Sequence, residues 1–126
     1  MNKTLKILII SIICIILTLT VWILSVIAYQ KHKSEKIIDH VIERKGWDKK
    51  IKHEKMSFNI MMGDAEKWVV YKDQPNVHYC YVVTPKPALS NSDNDYVVTD
   101  MTELEKKESY YKYILEEEPY VSKNKS

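Results

Sequence analysis

The residues best suited to chemistry in this sequence are a histidine and a cysteine two positions apart, His78 and Cys80. On a β-strand, residues i and i+2 project from the same face, so the two side chains share one side of any strand formed here. A thiol nucleophile also needs a base and an orienting group. Side chains on one strand face point in parallel rather than at each other, which disfavours an activating hydrogen bond. An enzyme that uses Cys80 and His78 is therefore the less favoured alternative, and no catalytic residue is assigned.

Two further patterns resemble metal sites, and both are incomplete. His78 and Cys80 supply only two of the about four ligands that a zinc site needs. The run Asp93 to Asp95 resembles the start of a calcium loop, but Val97 and Val98 stand where an oxygen ligand and a glycine are required. With two glycines in the whole chain, there is no glycine-rich phosphate loop. We expect no metal and no cofactor, and we interpret these residues as ordinary strand and turn residues.

The element that organises the chain is an apolar stretch from Ile7 to Ala28, which follows a short basic N-terminus at residues 1–6. This stretch contains no charge, proline or glycine, and as a helix it reaches about 33 Å, enough to cross a hydrocarbon core of about 30 Å. A secretory signal cleaved before Tyr29 is the alternative. Signal peptides have a shorter apolar region of about 7 to 15 residues. The pattern therefore favours an uncleaved transmembrane helix at residues 7–28.

The distribution of charged residues along the chain indicates where the tail lies and which classes of partner it can bind. All 17 acidic residues follow the apolar stretch, and all the basic residues do so except Lys3 and Lys6. The tail is thus electrically balanced, which argues against nucleic-acid binding, since that requires a dominant basic face. Counting flanking lysines favours a cytoplasmic tail, whereas the short N-terminus is typical of a signal-anchor with the tail outside. We favour the outside placement, with the lipid bilayer and another membrane or cell-surface protein as expected partners.

The tail begins with a predicted juxtamembrane helix at residues 29–46. An apolar stripe of four residues recurs at helical spacing between Ile37 and Ile42, and Gly46 after two basic residues is the expected stop signal. This helix is expected to continue the membrane span as a stalk. A small α+β domain is predicted at residues 47–121, followed by a disordered tail at residues 122–126.

Within that domain, alternating apolar residues predict a small antiparallel β-meander of three to four strands. The predicted strands cover residues 56–62, 67–72 and 77–84, with a short fourth at 95–99, and the predicted turns cover residues 63–64 and 73–76. A C-terminal helix is expected from Asp100 or Thr102 to about Glu117, with Thr102 and Glu105 forming a capping box. The predicted fold class is therefore α+β, with a membrane helix, a stalk helix, a meander and a packed C-terminal helix.

Residues 71–81, YKDQPNVHYCY, behind a single N-terminal span, resemble a family of small Gram-positive bacterial proteins known only as domain of unknown function 3139. Members of that family tend to show an aspartate–acidic–proline turn followed by alternating tyrosines. Here Gln74 stands in place of the acidic residue. The resemblance implies a membrane-anchored protein of Gram-positive type, and it implies no activity, cofactor or catalytic residue.

The predicted turn at residues 73–76 and the tyrosines suggest where partners bind. Asp73, Pro75, Tyr79 and Tyr81 are the candidate partner contacts, because aromatic residues are enriched in binding surfaces. Tyrosines also pack between sheet and helix, so the two rings act as contacts only if they lie on an exposed face. The sequence predicts a single-pass membrane protein that presents a small non-enzymatic, extracytoplasmic interaction domain. An immunity or regulatory protein that neutralises a membrane partner is the alternative.

Overall fold

The computed structural model describes residues 2–121, and its first element is one unbroken helix, α1, spanning Lys3–Lys45. The side chain of Asn2 caps its start by accepting a hydrogen bond from the backbone N–H of Thr4 at 3.0 Å. At its end, Gly46 adopts the left-handed conformation with φ of 78° and donates its backbone N–H to Glu43. The predicted stop at Gly46 is confirmed. The segments predicted as residues 7–28 and 29–46 thus form one continuous helix.

The two halves of α1 have different surroundings. Residues 2–26 are exposed throughout, and the apolar window in this half has a mean hydropathy of 3.0 with 0% of it buried. In the second half, the stripe that includes Ile37, Ile38, Val41 and Ile42 is buried against the folded domain. The first half is long and apolar enough to cross a membrane, as expected of a membrane anchor or a signal sequence.

After α1 the chain forms one antiparallel sheet whose spatial order follows the sequence. Its strands are β1 at Ile51–Asn59, β2 at Asp64–Tyr71, β3 at Gln74–Thr84, β4 at Val97–Asp100 and β5 at Glu118–Pro119. The predicted antiparallel meander is confirmed, with five strands rather than three to four. Short 3-10 helices cover Asp48–Lys50, Asp93–Asp95 and Glu108–Tyr110.

Most strand boundaries differ from the prediction: β1 begins at Ile51 rather than at residue 56, β2 begins at Asp64 rather than at residue 67, and β4 covers Val97–Asp100 rather than residues 95–99. At two of the boundaries, hydrogen bonding outweighs the apolar pattern. The alternation of Met56 to Met62 was extended too far: Asn59 pairs with Asp64 as the last rung of the β1–β2 ladder, and residues 60–63 form the turn. The predicted turn at residues 73–76 is shorter, because Gln74 pairs with Tyr71 and already belongs to β3.

The predicted C-terminal helix is wrong. Between β4 and β5 the chain is irregular apart from the 3-10 turn at Glu108–Tyr110. Its backbone groups are satisfied by side chains of other segments: the carbonyl of Tyr113 accepts from Tyr81 at 2.6 Å, and the N–H of Leu115 donates to Asp100 at 3.3 Å. The predicted capping box fails for the same reason, since the hydroxyl of Thr102 accepts from the backbone N–H of Cys80 instead.

The core lies between the second half of α1 and the inner face of the sheet. Tyrosines supply much of it, as aromatic rings bury a large area in a small domain. The rings of Tyr71 and Tyr113 stack with their centroids 3.8 Å apart, and Trp47 meets Tyr113 edge-on at 5.0 Å. This packing joins the end of α1 to the irregular C-terminal segment. The tail predicted to be disordered, residues 122–126, lies outside the described residues.

Candidate functional site

An open groove of about 370 Å³ is lined in part by Trp68 and His78. Because neighbouring residues of a strand point to opposite faces and Lys67 faces α1, Trp68 lies on the face away from α1, which we call the outer face of the sheet. The groove is lined by Trp68 on β2, by Asn76, Val77 and His78 on β3, and by Glu103, Glu105, Lys106, Tyr110 and Tyr111 of the C-terminal segment. Aromatic and acidic side chains thus meet at one surface. We take this groove as the candidate site because it gathers these two kinds of side chain on the sheet.

The sheet register and one tyrosine position the walls of the groove. Trp68 pairs with Cys80 across β2 and β3 and keeps 38% of its surface exposed, so its ring forms an apolar floor. The hydroxyl of Tyr111 accepts from the backbone N–H groups of Glu105 at 2.8 Å and Lys106 at 3.1 Å. These two hydrogen bonds hold the loop at residues 103–106, which carries Glu103 and Glu105, over the sheet.

A second depression of about 500 Å³ adjoins the groove and shares Tyr111 with it. Its other lining residues are Ser109, Ile114, Glu116 and Glu118. The combined surface presents Glu103, Glu105 and Glu116 around exposed aromatic rings, with Lys106 among them. Glu118 is already paired with Lys45 at 2.7 Å. Such a surface suits a partner segment that carries both positive charge and apolar side chains, because complementary charge steers and orients association.

On β3 the structure exposes His78 and buries Cys80, the two residues that the sequence places two positions apart. His78 is exposed and lines the groove, whereas Cys80 is only 1% exposed and does not line it. Burial, together with the negative charges of Glu66 and Asp100, raises the pKa of the Cys80 thiol to about 12. Because only the thiolate attacks, a protonated buried thiol is a poor nucleophile. The observed geometry therefore disfavours a Cys80–His78 pair.

Of the four candidate partner contacts, two tyrosines are buried and two residues are exposed. Tyr79 and Tyr81 both have 0% exposure and belong to the core. The hydroxyl of Tyr79 donates to Gln74, whose amide in turn donates to the carbonyl of Tyr110 at 2.7 Å. Their rings therefore serve packing, the alternative that the sequence allows. Asp73 and Pro75 are exposed, and their role as contacts stays a prediction.

Asp73 also has a structural role. Its carboxylate accepts from the hydroxyl of Tyr113 at 2.7 and 2.8 Å, which holds the pKa of Asp73 below its usual value, with Lys112 helping. Burial and this hydrogen bond raise the pKa of Tyr113 to about 12. The interaction ties the β2–β3 turn to the C-terminal segment that walls the groove.

The most important polar residue that the sequence does not single out is Lys67. Its side chain has 0% exposure and lies between α1 and β1, with Nζ 3.7 Å from Glu35, 2.5 Å from Glu54 and in contact with Asp39. Burial opposes its charge, but the hydrogen bonds that its ammonium group donates to Asp39 and Glu54 prevail and raise the pKa of Lys67. Its sequence signal is a lysine at an inward position of β2, two residues before buried Val69.

The three carboxylates around Lys67 bring their oxygens within 4.8 Å of one another. The ammonium group of Lys67 occupies the position between them, so the cluster is already paired. Burial raises the pKa of Asp39, and the negative charges of Glu54 and Glu35 add to that effect while Lys67 opposes it. The cluster links α1 to the sheet, so it locks the helix and the domain together.

These features define a class of small α+β proteins in which one long apolar helix leads directly into an antiparallel meander. The chain belongs to the family described as Protein of unknown function (DUF3139), whose model matches residues 2–81. The matched part extends from the residue that caps α1 to the last third of β3, so the walls of the groove formed by residues 103–111 lie beyond it. No curated protein and no solved structure matches the chain.

Proposed function

We propose that this protein is a single-pass membrane protein that presents a small, non-enzymatic interaction domain outside the cytoplasm. One observation carries the proposal: α1 is a single helix whose first half is exposed and apolar and whose second half forms the core of the domain. An exposed apolar surface of that size needs lipid or another apolar environment to cover it. The domain therefore stands directly on its anchor.

Ion pairs between α1 and the sheet support a rigid connection. Lys33 pairs with Asp93 at 3.0 Å, and Lys45 pairs with Glu118 at 2.7 Å, at opposite ends of the buried half of the helix. Lys67 and its carboxylates lie between these two positions. A domain fixed in this way keeps a constant height and orientation above the membrane, which suits the presentation of a binding surface to another membrane or cell-surface protein.

The groove on the outer face of the sheet is the proposed contact surface. Exposed Trp68 and Tyr110, with half-buried Tyr111, provide apolar contact area, and Glu103 and Glu105 favour a basic partner. The non-enzymatic assignment draws support from the buried, protonated Cys80. The balanced charge of the tail supports a protein partner rather than nucleic acid. Neutralising a membrane partner, as an immunity or regulatory protein does, would use the same surface.

Membrane topology tests the proposal. A reporter that is active only outside the cytoplasm is fused after Ser126, and a fluorescent protein that folds only inside is fused in a matched chain. An N-terminal tag, detected by immunoblotting, shows whether the chain keeps its full length. We expect activity of the outside reporter, no fluorescence and an uncleaved chain. Fluorescent cells would contradict the proposed placement of the domain outside the cytoplasm. Loss of the N-terminal tag from a shortened chain would show that the apolar segment is cleaved and is not an anchor.

A further inference from the structure

The direction of β2 relative to α1 places one end of the domain at the membrane surface. Lys67 lies opposite Glu35 and Asp39, whereas Tyr71 contacts the ring of Trp47, with the centroids 6.2 Å apart, beyond the end of the helix. β2 thus runs away from the apolar half of α1 as its residue numbers rise. Its start, and the β1–β2 turn before it, point back toward the apolar half.

The distances agree with this placement. Lys67 contacts Glu35 and Asp39, whose midpoint on α1 is about nine residues beyond Ala28. Nine helical residues correspond to about 13 Å along the helix axis. From Lys67 back to Asp64 the strand covers about 10 Å, and the turn at residues 60–63 extends a few ångströms further. The tip of the turn therefore lies at about the level of Ala28, where the apolar stretch ends.

Two contacts of α1 also indicate that this end of the domain lies near the end of the apolar stretch. Partial burial of α1 begins at Ile27, so the domain already covers the helix at the last apolar residues. Lys33 pairs with Asp93 near the end of the β3–β4 loop, at 3.0 Å. Because β3 is antiparallel to β2, that loop emerges at the same end of the sheet as the β1–β2 turn.

This end of the domain exposes apolar side chains. In the β1–β2 turn, Ile60 is 84% exposed, Met61 97% and Met62 51%, and Leu89 of the β3–β4 loop is 90% exposed. Three consecutive exposed apolar residues at a turn carry a cost in water, so their position calls for a covering partner. The Nζ of Lys86 lies beside the same turn, 2.9 Å from where a Cβ on Gly63 would stand. An ammonium group at this level suits anionic lipid headgroups.

We propose that this membrane-facing edge, formed by residues 60–62 with Leu89 and Lys86, inserts into the headgroup region of the leaflet from which α1 emerges. The inference rests on the proposed membrane anchor. Apolar side chains at this depth gain stability by leaving water, as interfacial segments do when they bury about 5 to 10 Å into the boundary between headgroups and acyl chains. The edge then acts as a second membrane contact that stops the domain from tilting about α1.

Depth-dependent fluorescence quenching tests the inference in the full chain. A Met61→Cys substitution, in a chain that also carries Cys14→Ala, is labelled with an NBD fluorophore and reconstituted into vesicles of phosphatidylcholine and phosphatidylglycerol. Some of the lipids carry a shallow spin-label quencher. Lys72→Cys, in the exposed β2–β3 turn at the opposite end of the sheet, is the matched control. Cys80 stays buried and protonated, and the chain with Cys14→Ala alone measures any background labelling.

We expect shallow quenching at position 61 to exceed that at position 72 by about threefold or more, because the eight residues of β2, at about 3.3 Å each, separate the two positions by about 26 Å along the strand. Weak, equal quenching at both positions in vesicles that still carry the protein would overturn this inference and leave the anchor standing. A chain that fails to float with the vesicles would overturn both. A blue shift in the emission of the fluorophore at position 61 that depends on protein concentration and not on lipid would identify a second copy of the chain as the covering partner. That result would also overturn the inference of membrane insertion.

Discussion

Replacing Lys67 by methionine is the most informative perturbation of the fold. Methionine preserves most of the length of the side chain and removes the charge together with the hydrogen bonds that Lys67 donates to Asp39 and Glu54. The variant leaves three carboxylates facing one another, with their oxygens within 4.8 Å. At an effective dielectric constant of about 20, each pair of unit charges about 5 Å apart repels by about 3 kcal/mol. Between 42% and 46% of each carboxylate side chain is exposed, so water and side-chain rotation relieve most of that repulsion.

We therefore expect Lys67→Met to lower the free energy of unfolding by about 2 to 4 kcal/mol. Removing one partner of a fully buried ion pair costs about 3 to 5 kcal/mol, and the partial exposure of these carboxylates reduces that cost. For a domain of this size that loss corresponds to a fall in melting temperature of about 10 to 25 °C. The assay is urea and thermal unfolding of the full chain in lipid nanodiscs, followed by near-UV circular dichroism. This signal reports the tertiary packing of the tyrosines and tryptophans rather than the secondary structure of the membrane helix.

Two controls separate the charge effect from lost packing. Lys55→Met changes an exposed lysine of β1 and should have an effect of less than about 0.5 kcal/mol, as is usual for surface sites. Adding Asp39→Asn and Glu54→Gln to Lys67→Met should restore much of the lost stability, because the repelling charges are removed. If Lys67→Met is as stable as the Lys55→Met control, or if neutralising the carboxylates makes it worse, the reasoning is refuted.

The same variant should depend on pH in a defined direction. Burial and neighbouring carboxylates already raise the pKa of Asp39, and removal of the ammonium group raises it further. A carboxyl whose pKa is higher in the folded than in the unfolded state favours folding below the unfolded value of 3.8, and this contribution is lost as the pH rises through the folded value. The deficit of the variant should therefore be smaller near about pH 4 than at about pH 7.

Two further predictions concern the interior of the sheet. Tyr81→Phe removes a hydroxyl that donates to the carbonyl of Tyr113 at 2.6 Å and lies 3.0 Å from the hydroxyl of Tyr71. The substitution should lower the free energy of unfolding by about 1 to 3 kcal/mol in the same assay. An unchanged unfolding midpoint would show that these hydrogen bonds do not stabilise the fold. The Cys80 thiol, with a pKa of about 12, should react with a soluble maleimide at pH 8.5 about a thousandfold more slowly in the folded chain than in urea, measured in a chain with Cys14→Ala. Similar rates in both states would place Cys80 at the surface.

How much of the fold could be predicted depended on whether the signal was local. The stop of α1 at Gly46 was predictable, because basic residues before a glycine mark a helix end through local backbone geometry alone. The strands were predictable in kind but not in their limits. The turn at residues 60–63 interrupts an apolar run, and only pairing with β2 decides where the ladder ends. The C-terminal helix was predicted wrongly because residues 101–115 have apolar positions compatible with helical spacing.

The candidate site was less predictable, since it is assembled from distant segments. Asp73 and Pro75 were identified from the turn, and both are exposed, but the alternation of Tyr79 and Tyr81 does not tell which face of β3 meets α1. Nothing in the sequence near Trp68 indicates that residues 103–111 cross over the outer face of the sheet and wall a groove there.

The apolar helix, its continuation beyond residue 28, the antiparallel meander and the resemblance to the family could all be recognised from the amino-acid sequence. Each of these follows from periodicity, length or a contiguous run, which are properties of neighbouring residues. The tertiary structure alone decided that Lys67 is buried among carboxylates from α1 and β1, and that the backbone of residues 110–115 bonds to Gln74, Tyr81 and Asp100 instead of forming a helix. The physical reason is that hydrogen bonds and charges are satisfied by whichever groups the packed chain brings near, and that choice is made across the whole fold.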